Sequence, residues 1–341
     1  MRAIEYTAHG GPEVLALVER AVPEPGAGQV RVRVHVSGVN PTDWKSREGS
    51  RGAGLKEAQV PNQDGAGVID AVGAGVDASR VGQRVWIWEA AWQRPDGTAQ
   101  DYTVVPARQA VALPEGASMQ LGASLGIPAL TAHRALTLAS DGPSRLGPGA
   151  LSGRTVLVAG GAGAVGNAAI QLARWAGARV IATVSGPQKA ALAEAAGAHH
   201  VVNYRDGDAA ARVRALAPDG VNLVVEVAPV ANAELDLKVL ALGGTVAYYA
   251  VTDADPLERL NLPALEIMLN NYCWHGLLVY TVSAQQKDDA VADVSAALAA
   301  GALRVGEPAG LPLHRYPLER TADAHRAVHG GAVGKVLIDL V

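Results

Sequence analysis

Apolar and polar positions alternate at period two through the first third of the chain. In Arg31-Val32-Arg33-Val34-His35-Val36-Ser37-Gly38-Val39 the valines fall on every second position until the Ser-Gly pair. That is the pattern of a half-buried strand. Residues 65–73 and 77–88 read as further short strands with glycine-marked turns. No helix-length amphipathic pattern interrupts residues 1–120, which predicts a compact antiparallel or barrel-like β module. Three of the six tryptophans fall within residues 86–92, a clustering that fits core or interface better than a ligand platform.

The pattern changes near residue 121. Residues 127–136 predict a helix with Pro128 in its first turn, and a Gly/Pro/Ser-rich connection covers 141–153. Strands at 155–159, 179–184, 200–204, 221–227 and 245–249 then alternate with helices at 187–196, 208–216 and 232–240. The pairs Gly177-Ala178, Gly197-Ala198 and Gly243-Gly244 stand where helix C-cap glycines belong. Such alternation predicts a doubly wound parallel sheet, an α/β fold. In the tail, 262–268 reads as a short helix, 273–281 as an apolar strand, 286–300 and 318–328 as helices and 335–340 as a strand. The simplest assembly returns this tail to the first module. The expected domains are therefore 1–121 and 263–341 for a catalytic domain and 122–262 for an inserted nucleotide domain.

The first strand of the alternating region leads into Gly160-Gly161-Ala162-Gly163-Ala164-Val165-Gly166 and then an Ala-rich helix. Gly161, Gly163 and Gly166 satisfy G-x-G-x-x-G in its strand–loop–helix setting. Gly161 is expected to make the tight turn, Gly163 to admit a pyrophosphate and Gly166 to let helix and strand pack closely. Helix N-terminal amides then hold the phosphates. An NAD site expects an acid about 20 residues further on. Here the second strand runs instead into Ser185-Gly186-Pro187-Gln188-Lys189. A hydroxyl and a cation suit a 2′-phosphate and predict NADPH.

Composition narrows the classes. With 49% hydrophobic residues among 341, the chain can bury a large core. A net charge of −4 gives no electrostatic footprint for nucleic acid. The single Cys273 excludes an intramolecular disulfide framework and a cysteine-based zinc cage. The first residues hold no apolar signal core, and no run of about 18 apolar residues follows. These features predict a soluble cytoplasmic protein that neither spans nor binds a membrane.

Taken in order, Gly38-Val39-Asn40-Pro41-Thr42-Asp43, Asp64-Gly65-Ala66-Gly67-Val68, Gly82-Gln83-Arg84-Val85 and Gly126-Ile127-Pro128-Ala129-Leu130-Thr131-Ala132 form a series. The glycine loop, Gly197-Ala198, Asn203-Tyr204-Arg205 and Gly334-Lys335 continue it. The whole chain thereby resembles the zinc-independent quinone oxidoreductases of the medium-chain dehydrogenase/reductase family, the zeta-crystallin-like group. The resemblance implies a Rossmann-type sheet inserted into a GroES-like, partly open barrel. Zinc-dependent relatives carry a Cys after the strand ending near Val39 and a Gly-His-Glu before the Gly-rich strand. This chain has Asn40-Pro41-Thr42-Asp43 and Asn62-Gln63-Asp64 there, so no metal ligand set is expected. The pair His199-His200 does not supply one, since adjacent strand residues face opposite ways.

The resemblance further implies that Gly161, Gly163, Ala164, Val165 and Gly166 approach the pyrophosphate. It places Ser185, Lys189 and Tyr204 around the adenosine 2′-phosphate. Asn40 and Thr131 would lie near the nicotinamide, the backbone around Leu278 and Val279 would pass it, and Lys335 would contact the cofactor. Read alone, Asn40 is a turn residue before Pro41, Thr131 a helix-face residue, Tyr204 a strand-end aromatic and Lys189 a solvated helix residue. Lys45 stands where quinone-reducing members often carry a Tyr, which is similar to enone- and alkenal-reducing relatives. An ammonium there could stabilise a developing oxyanion; the alternative is a solvated loop lysine.

The expected activity is reduction of a quinone by hydride from NADPH, without zinc. The alternatives are an enone or alkenal reductase and a structural or regulatory NADPH-binding module. The apolar stretch 273–280 is expected to pair across a two-fold into a homodimer, with a tetramer as the alternative. Loops 46–63 and 89–100 are expected to shape the acceptor pocket.

Overall fold

The computed structural model describes residues 1–50, 54–251 and 259–341. They fall into two compact units, Met1–Ile127 with Pro312–Val341, and Pro128–Leu311.

The first unit is built on strand Gln29–Val39, whose Val30, Val32, Val34 and Val36 are all buried. It pairs antiparallel with Asp64–Val72, with Tyr102–Pro106 and with the last strand, Lys335–Asp339. Strand Leu313–Pro317 continues the sheet beyond Lys335–Asp339, and Arg84–Ile87 and Ala110–Ala112 continue it beyond Asp64–Val72. The two ends of Gln29–Val39 feed different cores. Val30 and Val32 join Ile69, Val85, Ile87 and Val105, while Val34 and Val39 join Val60, Leu318, Val336 and Ile338. Trp86 and Trp88 are fully buried, in keeping with a core role for the cluster.

A short α-helix does interrupt the strands of residues 1–118. Pro41–Arg47 is only seven residues long, too short to show a 3.6-residue period, and it is entered through Pro41 at its first position. The Asn40 backbone N–H donates to Asp43 Oδ2 at 2.7 Å and closes that entry.

The second unit holds a six-stranded sheet, entirely parallel, in the order His200–Asn203, Arg179–Val184, Thr155–Ala159, Val221–Glu226, Leu240–Tyr248, Cys273–Gly276. Numbered from the glycine-loop strand this is 3-2-1-4-5-6, the doubly wound order. Leu157, Ile181, Val202, Val213, Val224 and Val246 pack together on one side of it.

Several expectations need correcting. Gly243-Gly244 does not cap a helix: Gly243, at φ +73°, lies inside strand Leu240–Tyr248, where the register with Val221–Glu226 shifts. The return to the first unit comes at Pro312, not at residue 263. Cys273–Gly276 extends the parallel sheet. Asn167 Nδ2 donates to Ala309 O at 2.8 Å and Gln171 Nε2 to Arg304 O at 3.1 Å, tying residues 304–309 to the glycine-loop helix. The first crossing falls at Ile127, whose amide is held by Asp64.

The helix expected from Pro128 is the second half of Met119–Leu136, broken by non-helical Gly126. Within the second unit, Asp293 accepts from His133 Nε2 at 2.8 Å, Leu146 N at 2.7 Å and Arg145 Nε at 2.9 Å. Among the described residues, no helix is long and apolar enough to cross a membrane.

Candidate functional site

The dinucleotide loop follows strand Thr155–Ala159 and opens helix Ala164–Trp175. The positive φ of the turn belongs to Gly160, at +65°, rather than to Gly161. Gly161 packs instead: a Cβ there would come within 2.9 Å of Ala182 Cβ. A Cβ on Gly166 would lie 2.4 Å from Gly160 O, so the helix lies directly on the loop. Gly163 is the helix N-cap and offers no side chain to the first turn. The amides of Ala164, Val165 and Gly166 therefore keep the donor capacity that a first turn cannot satisfy within its own helix. Bare glycine backbone and uncapped amides form a cradle that fits a pyrophosphate.

Ser185 and Lys189 come together, with Lys189 Nζ donating to Ser185 Oγ at 3.1 Å just beyond strand Arg179–Val184. Tyr204 leaves the neighbouring strand beside them. Its N–H donates to Val184 O at 3.0 Å and its ring is exposed. All three stand at the carboxyl edge of the parallel sheet, the edge at which the glycine loop lies. Behind it, Glu226 ends the adjacent strand and accepts from Ala228 N and from Asn232 Nδ2 at 2.9 Å. Asp236 is equally buried, and neither of its carboxylate oxygens has a hydrogen-bond partner among the described residues. Burial, and for Asp236 the neighbouring Glu226, push both carboxyls up.

In the first unit Asn40 is buried with both ends of its amide engaged. Nδ2 donates to Asp64 Oδ2 at 2.7 Å, and Oδ1 accepts from Lys335 Nζ at 2.7 Å. Asp64 also accepts from Ile127 N at 2.9 Å. Burial raises the Asp64 carboxyl and lowers the Lys335 ammonium, each opposed by the other's charge. Only glycine fits beside this group: a Cβ on Gly126 would lie 2.0 Å from Asp64 Oδ1, and one on Gly38 3.2 Å from Lys335 Cε and 2.1 Å from Ala123 O. An amide, a carboxylate and an ammonium already bonded to one another do not fit a zinc ion, which takes thiolate, imidazole or carboxylate donors.

Deeper still, Asn62 Nδ2 donates to Ser37 Oγ at 2.9 Å, and Asn62 Oδ1 faces His325 Nε2 at 3.0 Å. His325 Nδ1 faces Arg47 at 3.2 Å and can only accept there. Burial, with Arg47 adding, holds His325 down at about 3.

The remaining expected residues are placed as follows. Lys335 was expected at the cofactor, but its ammonium is fully buried and taken by Asn40 and Asp64. Leu278 and Val279 are not in a strand. Pairing stops at Gly276 because Tyr248, its last partner, ends its own strand, and Val279–Thr281 turns into a 3-10 helix. Leu278 is exposed and Val279 buried. Thr131 is buried in the second half of helix Met119–Leu136. Lys45 lies in helix Pro41–Arg47, with Nζ 5.6 Å from the Trp44 ring, which stacks on His329.

The expected pocket loops do line a cavity of about 370 Å³, formed in part by Asp43, Ser46, Gln63, Trp92 and Arg94. Lys45 is not among the described residues lining it. Residues 51–53 of that loop lie outside the described residues. Sequence reasoning missed the part played by Asp64. Its signal was an acid opening a glycine-rich strand.

Family models match both units: alcohol dehydrogenase GroES-like domain over residues 26–115 and zinc-binding dehydrogenase over 164–298. The quinone oxidoreductase of Pongo abelii is 31% identical, covering 99% of this chain and 97% of its own. A solved NAD-dependent alcohol dehydrogenase superposes over the full length of both chains at a TM-score of 0.84 and 28% identity. An Escherichia coli quinone oxidoreductase solved with NADPH does so at 0.80 and 25%. The chain belongs to the medium-chain dehydrogenase/reductase family, in its quinone oxidoreductase group.

Proposed function

We propose that the protein is an NADPH-dependent oxidoreductase that reduces quinones by hydride transfer. The observation that carries the choice of cofactor is the Lys189 Nζ–Ser185 Oγ contact at 3.1 Å, beyond the second strand of the sheet, where an NAD site would place an acid. NADPH supplies the hydride. The protein supplies its position: the amides of Ala164, Val165 and Gly166 hold the phosphates, and Ser185, Lys189 and Tyr204 surround the 2′-phosphate. Asn40, its amide locked by Asp64 and Lys335, offers a fixed polar surface at the reacting end, and Thr131 is assigned to the same end.

A second reading, reduction of enones or alkenals, is favoured by Lys45, whose half-buried ammonium would face the oxyanion forming on a conjugated carbonyl. NADPH consumption with an ortho-quinone and, separately, with a linear 2-alkenal decides between them. Quinone turnover with little alkenal activity supports the first reading and the reverse supports the second. Tight NADPH binding with no turnover on either would favour a structural or regulatory module.

The proposal includes a homodimer. Strand Cys273–Gly276 is an edge of its sheet, and the preceding helix Ala264–Asn270 leaves Leu265, Met268 and Leu269 exposed. An apolar face beside an open edge favours pairing with a second copy. Light scattering showing only monomer at micromolar concentration would refute it. A cytoplasmic location belongs to the same reading and is tested by fractionation.

A further inference from the structure

His199 and His200 do not behave as an alternating strand pair. His199 precedes the strand, and both residues line one cavity of about 460 Å³ together with Arg212, Glu194, Val201 and Leu216. Arg174 approaches His199, and Arg179 Nη2 lies 3.0 Å from His200 Nε2. Arg212 donates to Asn203 O at 3.1 Å. Among the described residues none of these three arginines forms an ion pair with a carboxylate. Glu194 is the single acid of the cavity lining.

The hydrogen-bond count points the same way. Val180 N–H donates to His199 Nδ1 at 2.9 Å, so that nitrogen is an acceptor and the proton of the neutral ring sits on Nε2. Arg174 Nη1 lies against the same ring, 3.1 Å from Nδ1. Burial, then the charges of Arg174, His200 and Arg179, lower His199 below its ordinary value, as uncompensated positive charge would.

The cluster stands away from the cofactor loop. Arg179 and His200 begin their strands, whereas the glycine loop and Ser185 follow the ends of theirs. A six-residue strand separates the two edges by roughly 17 Å at ~3.3 Å per residue.

We propose that Arg174, Arg179, His199 and His200 form a second anion site, at the amino edge of the parallel sheet, for a phosphate-class oxyanion. A tetrahedral oxyanion accepts from several donors at once. In a chain of net charge −4 this local excess of cations is a feature of the site, not of the composition.

The test is calorimetric titration of inorganic phosphate into the NADPH-loaded protein, at ionic strength held constant with chloride. The expected result is one saturable site, weakened about tenfold or more in Arg174→Ala/Arg179→Ala. His200→Ala, at the start of the next strand, should weaken it as well and serves if the double variant does not fold. Absence of saturable binding overturns the proposal, as does unchanged affinity in these variants. Loss of binding in Lys189→Ala alone would overturn it too, by placing the phosphate at the cofactor's own site.

Discussion

The Asn40 side chain donates to Asp64 at 2.7 Å, across a sheet and 24 residues along the chain. Lys335 closes the group from the last strand, and no water-exposed atom shares the load: Asp64 and Lys335 are 0% and 1% exposed. A buried ion pair stabilises little by itself, but removing one partner strands the other.

Lys335→Met should therefore destabilise the protein by about 3–5 kcal/mol in urea unfolding. Adding Asp64→Asn should recover much of that loss, because the stranded carboxylate is gone. If the double variant is as unstable as the summed single losses, the two side chains are not coupled.

Cofactor choice rests on the Lys189–Ser185 contact. Lys189→Ala should raise KM for NADPH about tenfold or more while sparing NADH, since a phosphate contact of this kind discriminates between them. Equal effects on the two cofactors would refute the 2′-phosphate assignment.

Acid should act on the first unit through His325 before it acts on the second through Asp293. His325 is held at about 3 against an ordinary 6.5, so the folded state binds fewer protons than the unfolded one. Its contribution is complete above pH 6.5 and is lost as pH falls toward 3. Between pH 6.5 and 5 that amounts to about 2 kcal/mol. At Asp293 burial alone would raise the carboxyl, but hydrogen bonds from His133, Arg145 and Leu146 outweigh it and hold it at about 2. That contribution is lost only as pH falls from 3.8 through 2. His325→Gln should flatten the pH dependence of the urea midpoint between 7.5 and 5. An unchanged slope in that variant would assign the loss to another group.

Asp236 should respond in the opposite sense. Its folded pKa is raised, so stability is present in acid and declines as pH rises from the ordinary carboxylate range. Asp236→Asn should be at least as stable as the parent at pH 8 and lose any advantage at pH 4, measured by urea unfolding. Equal destabilisation at both values would show that the raised Asp236 carboxyl does not set the pH dependence.

Local pattern alone determined the architecture of both units. The alternating valines of Gln29–Val39, the strand–helix repeat and the strand–loop–helix setting of Gly161, Gly163 and Gly166 are short-range signals. Each survives in the fold because burial selects the same faces that the pattern marks. The Ser185–Lys189 pair was legible because the two stand four residues apart at one strand–helix junction. Tertiary structure decided the rest. Which glycine turns the loop, where Cys273–Gly276 stops and which unit holds residues 263–311 depend on partners far along the chain. Lys335 shows why: the family resemblance implied a cation at the cofactor, but its position on the last strand delivers the ammonium to Asn40, 295 residues away. Such pairings are set by sheet register and desolvation, and neither is written in the residues on either side.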